Sequence, residues 1–158
     1  MRRSILISLT LICSVIGMSC SGDAGTGVEG TWQLTAISVT TSEGTVDIDN
    51  PGLGRLMLRN GQYSQVWMQS NRLYSAPPTN LEKIDAFDSF DASAGSYAYT
   101  DGRLTLTPQI ARDPSGINES TTTSVTLDGN TIRRTRERPN TINRQELLTW
   151  TSTYTRVQ

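Results

Sequence analysis

From Glu29 onward, apolar and polar residues alternate in short runs broken by turn dipeptides, the period-two pattern of antiparallel strands with one buried face. Asn60-Gly61, Asp101-Gly102 and Asp128-Gly129-Asn130 supply the residues tolerant of positive φ that tight hairpins need. A two-residue loop at Asp101-Gly102 sets Tyr99 opposite Leu104 and Tyr97 opposite Leu106, leaving Thr100, Ala98 and Ser96 to meet Arg103, Thr105 and Thr107. The same construction at Asn60-Gly61 gathers Leu56, Leu58, Tyr63, Gln65 and Trp67 on one face. Met57, Val66 and Met68 share the other face with charged and polar residues, so this hairpin is less cleanly sided. The last segment sets Leu148, Trp150, Ser152, Tyr154 and Arg156 against Thr149, Thr151, Thr153 and Thr155. Threonine suits a solvated strand face, because its β-branch favours extended backbone while its hydroxyl meets water. The first strand turns Trp32, Leu34 and Ala36 inward and then shifts to Ile37 and Val39, which predicts a bulge near Ala36.

The pattern predicts strands at 31–40, 53–59, 62–69, 95–100, 103–110, 120–127, 131–137 and 147–157, with a short extra piece at 45–49. Eight antiparallel strands in meander order make an all-β, up-and-down barrel with no exposed edge. A two-sheet sandwich is the rival, separated from the barrel only by whether first and last strands pair. Residues 70–94 break the rhythm. Thr79 or Asn80 is placed to cap a short helix in which Leu81, Ile84 and Phe87 recur at helical spacing, so an amphipathic helix lying on the barrel is expected. It serves either as a lid over one mouth or as a plug closing that end.

Composition narrows the chemistry. The 158 residues hold no His and two Cys, which removes imidazole-based catalysis, histidine metal ligands and a self-contained cysteine zinc site. Residues 1–19 carry Arg2 and Arg3, an apolar stretch from Ile5 to Ile16 and a small-residue end, the arrangement of an export signal too short to span a bilayer. The segment resembles a bacterial lipoprotein signal, with Cys20 as the acylated residue carrying palmitate-type chains, although Gly17 stands where such signals favour leucine. Residues 20–28 then read as a flexible tether and 29–158 as the folded domain. The resemblance implies a cell-envelope protein, on the outer membrane if the organism has two membranes. An ordinary secreted protein cleaved near Ser19 or Ala24 is the other reading. Loss of residues 1–19 removes two bases and no acid, taking the formal charge from −1 to −3, which gives no general attraction to nucleic acid.

Gly30-Thr31-Trp32 at the first strand, Pro51-Gly52-Leu53-Gly54-Arg55-Leu56 before the Asn-Gly hairpin, Gly95-Ser96-Tyr97 before the second hairpin, and Trp150 with Arg156 in the last strand resemble the bacterial lipocalin-like domain proteins over residues 29 to 157. The resemblance implies a barrel closed at one end by Trp32, with Arg156 packed across it. It also implies binding or carriage of a small hydrophobic molecule or lipid by a monomer, without a cofactor.

The inward aromatics Tyr63, Trp67, Tyr97, Tyr99, Trp150 and Tyr154 either fill the barrel or wall a pocket. Arg134, Arg136 and Arg138 share one strand face with Ile132. If that face is inward, Arg134 or Arg136 with Tyr154 forms a clamp for a carboxylate or other anionic head; if outward, the run is a solvated basic strand. Glu82, Asp85, Asp88 and Asp91 lack the spacing of a calcium loop and are read as the wet side of the helix. No metal site is expected. The leading expectation is a membrane-anchored protein that binds a small apolar, in one form anionic, molecule and not an enzyme. The alternative is a structural or interaction lipoprotein whose barrel is filled. The anchor is tested directly: Cys20→Ser should abolish incorporation of an alkyne-labelled fatty acid and move the protein from the detergent to the aqueous phase, and continued labelling would refute acylation at Cys20.

Overall fold

A computed structural model describes residues 27–141 and 146–157. The proposed signal, Cys20 and nearly all of the tether lie outside the described residues. The chain forms β1 (Gly30–Thr41), β2 (Gly44–Asp47), β3 (Leu53–Arg59), β4 (Gln62–Met68), α1 (Asn80–Asp88), β5 (Phe90–Thr100), β6 (Arg103–Ala111), β7 (Thr121–Asp128), β8 (Thr131–Pro139) and β9 (Leu147–Arg156), with one turn of 3₁₀ helix at Pro114–Gly116. Every strand after β2 pairs antiparallel with the next, and β1 pairs with both β3 and β9. The result is a closed eight-stranded, up-and-down barrel of lipocalin-like form rather than a sandwich. The short β2 pairs only with the outer half of β1.

The hairpins lie where the turn dipeptides put them. Asn60 and Gly61 have φ of 51° and 72°, and Asp101 and Gly102 have 50° and 71°, so both loops use two left-handed residues as a tight hairpin requires. The registers follow: Leu58 faces Tyr63, Tyr99 faces Leu104, Tyr97 faces Leu106, and Leu127 faces Ile132. The expected slip in β1 is present as a register shift between Leu34 and Ala36 against β9. Because an up-and-down barrel alternates its connections between ends, these three tight hairpins gather at one end and the long connections at the other.

The tight end is filled. Trp32, Leu56, Leu58, Leu104 and Ile132 are fully buried, and Leu34, Tyr63, Leu106, Val125 and Tyr154 complete one cluster with Val28. The Trp32 indole N–H donates to the Val28 carbonyl at 2.9 Å, and the Arg156 guanidinium sits 4.1 Å from the Trp32 ring centroid. Arg156 also donates to the carbonyls of Gly27 and Glu29. Gly30 has a φ of 141°, and a Cβ there would collide with the Arg156 guanidinium, so the glycine of Gly30-Thr31-Trp32 is required by both backbone and space.

Two expectations are corrected. β5 begins at Phe90 rather than Gly95, because its first inward residues are Asp91 and Ser93, whose polarity hides the alternation. The helix is present, with Thr79 and Glu82 forming a reciprocal capping box, but its apolar side does not lie on the barrel. Leu81, Ile84 and Phe87 are 78%, 58% and 54% exposed. The helix is held instead at its C-terminal end, where Arg72 donates to the Ala86 carbonyl at 2.7 Å and Arg112 to that of Phe87 at 2.8 Å. No residue of α1 is buried, so it does not plug the barrel.

At the filled end, the Tyr97 hydroxyl donates to the Glu29 carboxylate at 2.8 Å, and the same oxygen accepts the Asn60 backbone N–H at 2.8 Å. Burial of the phenol, reinforced by Glu29, raises the Tyr97 pKa from 10.0 to about 12. The folded state therefore holds this proton more tightly than the unfolded chain, and the contribution is complete below pH 10 and lost as pH rises toward 12. Thermal unfolding followed between pH 9 and 12 should show a fall in Tm that is shallower in Tyr97→Phe; identical slopes would refute the linkage.

Candidate functional site

The other half of the barrel is hollow. A cavity of about 300 Å³ opens at the end with the long connections, walled by Trp67, Trp150, Tyr154, Ile37 and Leu34, with Gln65, Ser152, Arg134, Arg136 and Arg138 among them. A second lobe of about 190 Å³, lined by Tyr63, Ser93, Leu106 and Pro108, shares Gln65, Asp91, Arg134 and Arg136 with the first. None of the α1 residues lines either lobe.

Local sequence explains the wall. The Trp67 indole N–H donates to the Pro51 carbonyl at 2.7 Å, which fixes the ring against the start of β3. A Cβ on Gly52, whose φ is 80°, would lie 2.7 Å from that indole nitrogen, and one on Gly54 would lie 2.9 Å from Leu34. The glycines of Pro51-Gly52-Leu53-Gly54 thus make room for the tryptophan and leave the opposite side of the ring to the lumen. Trp150 faces Arg136 across the β8–β9 ladder, and the Arg138 guanidinium lies 6.0 Å from the Trp150 ring centroid.

Arg134, Arg136 and Arg138 follow the buried Ile132 on the inward face of β8, so the basic run faces the lumen and only Arg133 points out. Their circumstances differ. Arg134 donates from Nη1 to Gln65 Oε1 at 2.8 Å and from Nε to Thr123 Oγ1 at 3.5 Å. β4 and β8 are four strands apart in an eight-stranded barrel, so the Arg134–Gln65 bond is a strut across the diameter and the floor between filled and hollow halves. Arg136 makes no hydrogen bond or ion pair among the described residues. Its pKa is lowered by partial burial and then by the positive charges of Arg138 and Arg134, the signature of crowded, uncompensated cations. Tyr154 is buried to within 7% with its hydroxyl unbonded among the described residues, beside the lobe that it lines.

Of the sequence-derived candidates, Trp67, Arg134, Arg136, Trp150 and Tyr154 meet in the larger lobe and Tyr63 in the smaller. The Tyr63 hydroxyl is taken by Ser93 at 3.2 Å. Tyr97 and Tyr99 are not with them. They share the inward face of β5 but belong to the filled end, where Tyr97 packs on the core and Tyr99 stands exposed beside its hairpin. Trp32 and Arg156 form the closed end. Asp91 departs from its assignment to the helix: it is a β5 residue lining both lobes, and Arg112 Nε lies 3.8 Å from its carboxylate. Counting back from Tyr97 by twos through Gly95 and Ser93 reaches it. Gln65 was placed inward by its hairpin, but nothing in the sequence pointed to its partner across the barrel.

No family model and no curated protein matches the chain. Among solved structures, a lipocalin-like protein from Bacteroides uniformis aligns with 82% of this chain and 97% of its own, with 13% identity and a TM-score of 0.45.

Truncating one end of the strut leaves a lumenal guanidinium short of an acceptor, which costs about 1–3 kcal/mol, whereas apolar replacement of both ends costs less. Gln65→Ala should lower stability in urea unfolding by that amount, and Gln65→Leu with Arg134→Met should recover part of it. Strict additivity of the two substitutions would show that the bond is not a coupled strut.

Proposed function

We propose that the domain is a binding module for a small amphipathic anion, held at a membrane of the cell envelope through acylated Cys20. The observation that carries this reading is Arg136: a guanidinium on the wall of a cavity lined by polar and apolar groups in nearly equal share, with no protein acceptor among the described residues and two further arginines on its own face. Its guanidinium is open to solvent and tied to no protein group among the described residues, so its donors are available to an incoming ligand. Here a ligand carboxylate or similar head is the natural partner, received by arginine's forked donors and within the same lobe as the free Tyr154 hydroxyl. Trp67 and Trp150 supply flat apolar walls for the rest of the molecule. The hollow mouth speaks against the barrel that is merely filled, and the reading requires binding alone.

Charge dependence is the test. In tryptophan-quenching titrations at low salt, 1-naphthoate should bind more tightly than the neutral 1-naphthalenemethanol, and Arg136→Gln should weaken naphthoate roughly tenfold while leaving the alcohol unchanged, as expected for loss of one charged hydrogen bond. Equal affinities for the two probes, or no response to either, would overturn the anion site.

A further inference from the structure

The charge on the cavity wall exceeds what one carboxylate can neutralise, and this inference rests on the reading of the cavity as an anion site. Arg134, Arg136 and Arg138 are alternate residues of one strand, so neighbouring members are roughly 6.5–7 Å apart along the wall. The opposing acid of the larger lobe is Asp91, and Arg112 stands beside it at 3.8 Å. Asp91 therefore does not balance the arginine row. Arg134 is occupied by the neutral Gln65 and Arg138 lies against Trp150, contacts that remove no charge. Burial first, and then the charges of Arg138 and Arg134, lower the Arg136 pKa.

The space defines the rest. A volume of about 300 Å³ is at the lower end for small-molecule sites, and its floor is closed by the Arg134–Gln65 strut above the packed core. With indole rings on two sides, it accommodates a compact flat body better than a long chain.

We propose that the cavity selects a compact, flat apolar molecule bearing two negative charges, a phosphate monoester or a pair of carboxylates, over a monoanion of the same shape. Arg136 takes the first charge, and the second falls between Arg136 and Arg138. A second charge is favoured because a monoanion on Arg136 leaves Arg138 and Arg134 uncompensated, whereas a dianion leaves only Arg134, which Gln65 already holds.

The probes are 1-naphthyl phosphate and 1-naphthoate, titrated calorimetrically at pH 8, where a phosphate monoester is doubly ionised. The phosphate should bind at least tenfold more tightly than the carboxylate. Arg138→Gln, at an exposed rim position that the core does not use, should reduce that ratio to about two or three. Circular dichroism confirms that the variant is folded. Equal affinities of wild type for the two probes, or an undiminished ratio in Arg138→Gln, would overturn dianion selectivity and leave the anion site standing. Binding of neither probe would overturn both.

Discussion

The β1–β9 seam is the interaction on which the rest depends. Without it the sheet would be open, and the inward row of Trp32, Leu34 and Tyr154 would face water. With it, Trp32 lies opposite Arg156, which covers the ring and reaches back to the carbonyls of Gly27 and Glu29. One arginine thus joins the last strand, the first strand and the leading segment. The same seam contains the slip between Leu34 and Ala36. Below the slip β1 pairs with β3 and Trp32 is fully packed; above it β1 turns to β2 and Ile37 lines the cavity, with Leu34 at the boundary. The bulge marks the level at which the barrel changes from core to vessel.

That change divides the labour of one small barrel. A chain of this size has a single core, and every inward residue given to a cavity is removed from it. The filled half concentrates the large apolar side chains, and the hollow half carries Gln65, Asp91, Ser93, Arg134, Arg136 and Ser152. The strut between Arg134 and Gln65 lies at the boundary, where a guanidinium can be tied without an ion pair. It allows one arginine to be stationed deep while Arg136 above it stays free. A core residue in place of Arg134 would extend the filled half upward and shrink the cavity from below.

The legibility of the chain follows this division. Wherever the inward face is apolar, sequence and structure agree almost residue by residue, in the hairpins around Asn60-Gly61 and Asp101-Gly102 and in the register of Leu127 with Ile132. Where the inward face is polar, period-two alternation carries no contrast. The start of β5 looks like helix and loop because Asp91 and Ser93 resemble solvent-facing residues, and alternation leaves the direction of Arg134, Arg136 and Arg138 open for the same reason. The helix shows the converse. Its cap was legible in Thr79 and Glu82, a local signal, but the spacing of Leu81, Ile84 and Phe87 says only that they share a side, not that anything covers it. Tyr97 and Tyr99 were assigned to the right face and the wrong end, since alternation fixes inside against outside and says nothing of depth.

Depth does follow from connection length once closure is known. In an up-and-down barrel all even connections meet at one end and all odd connections at the other, so three tight hairpins define a floor and the long links a mouth. The described chain begins at Gly27 and Val28, gripped by Arg156 and Trp32, and therefore at the floor. The mouth lies at the far end of the barrel from that point. Core and cavity are thus stacked along one axis, and the arginine row of β8 runs from the boundary between them toward the open end.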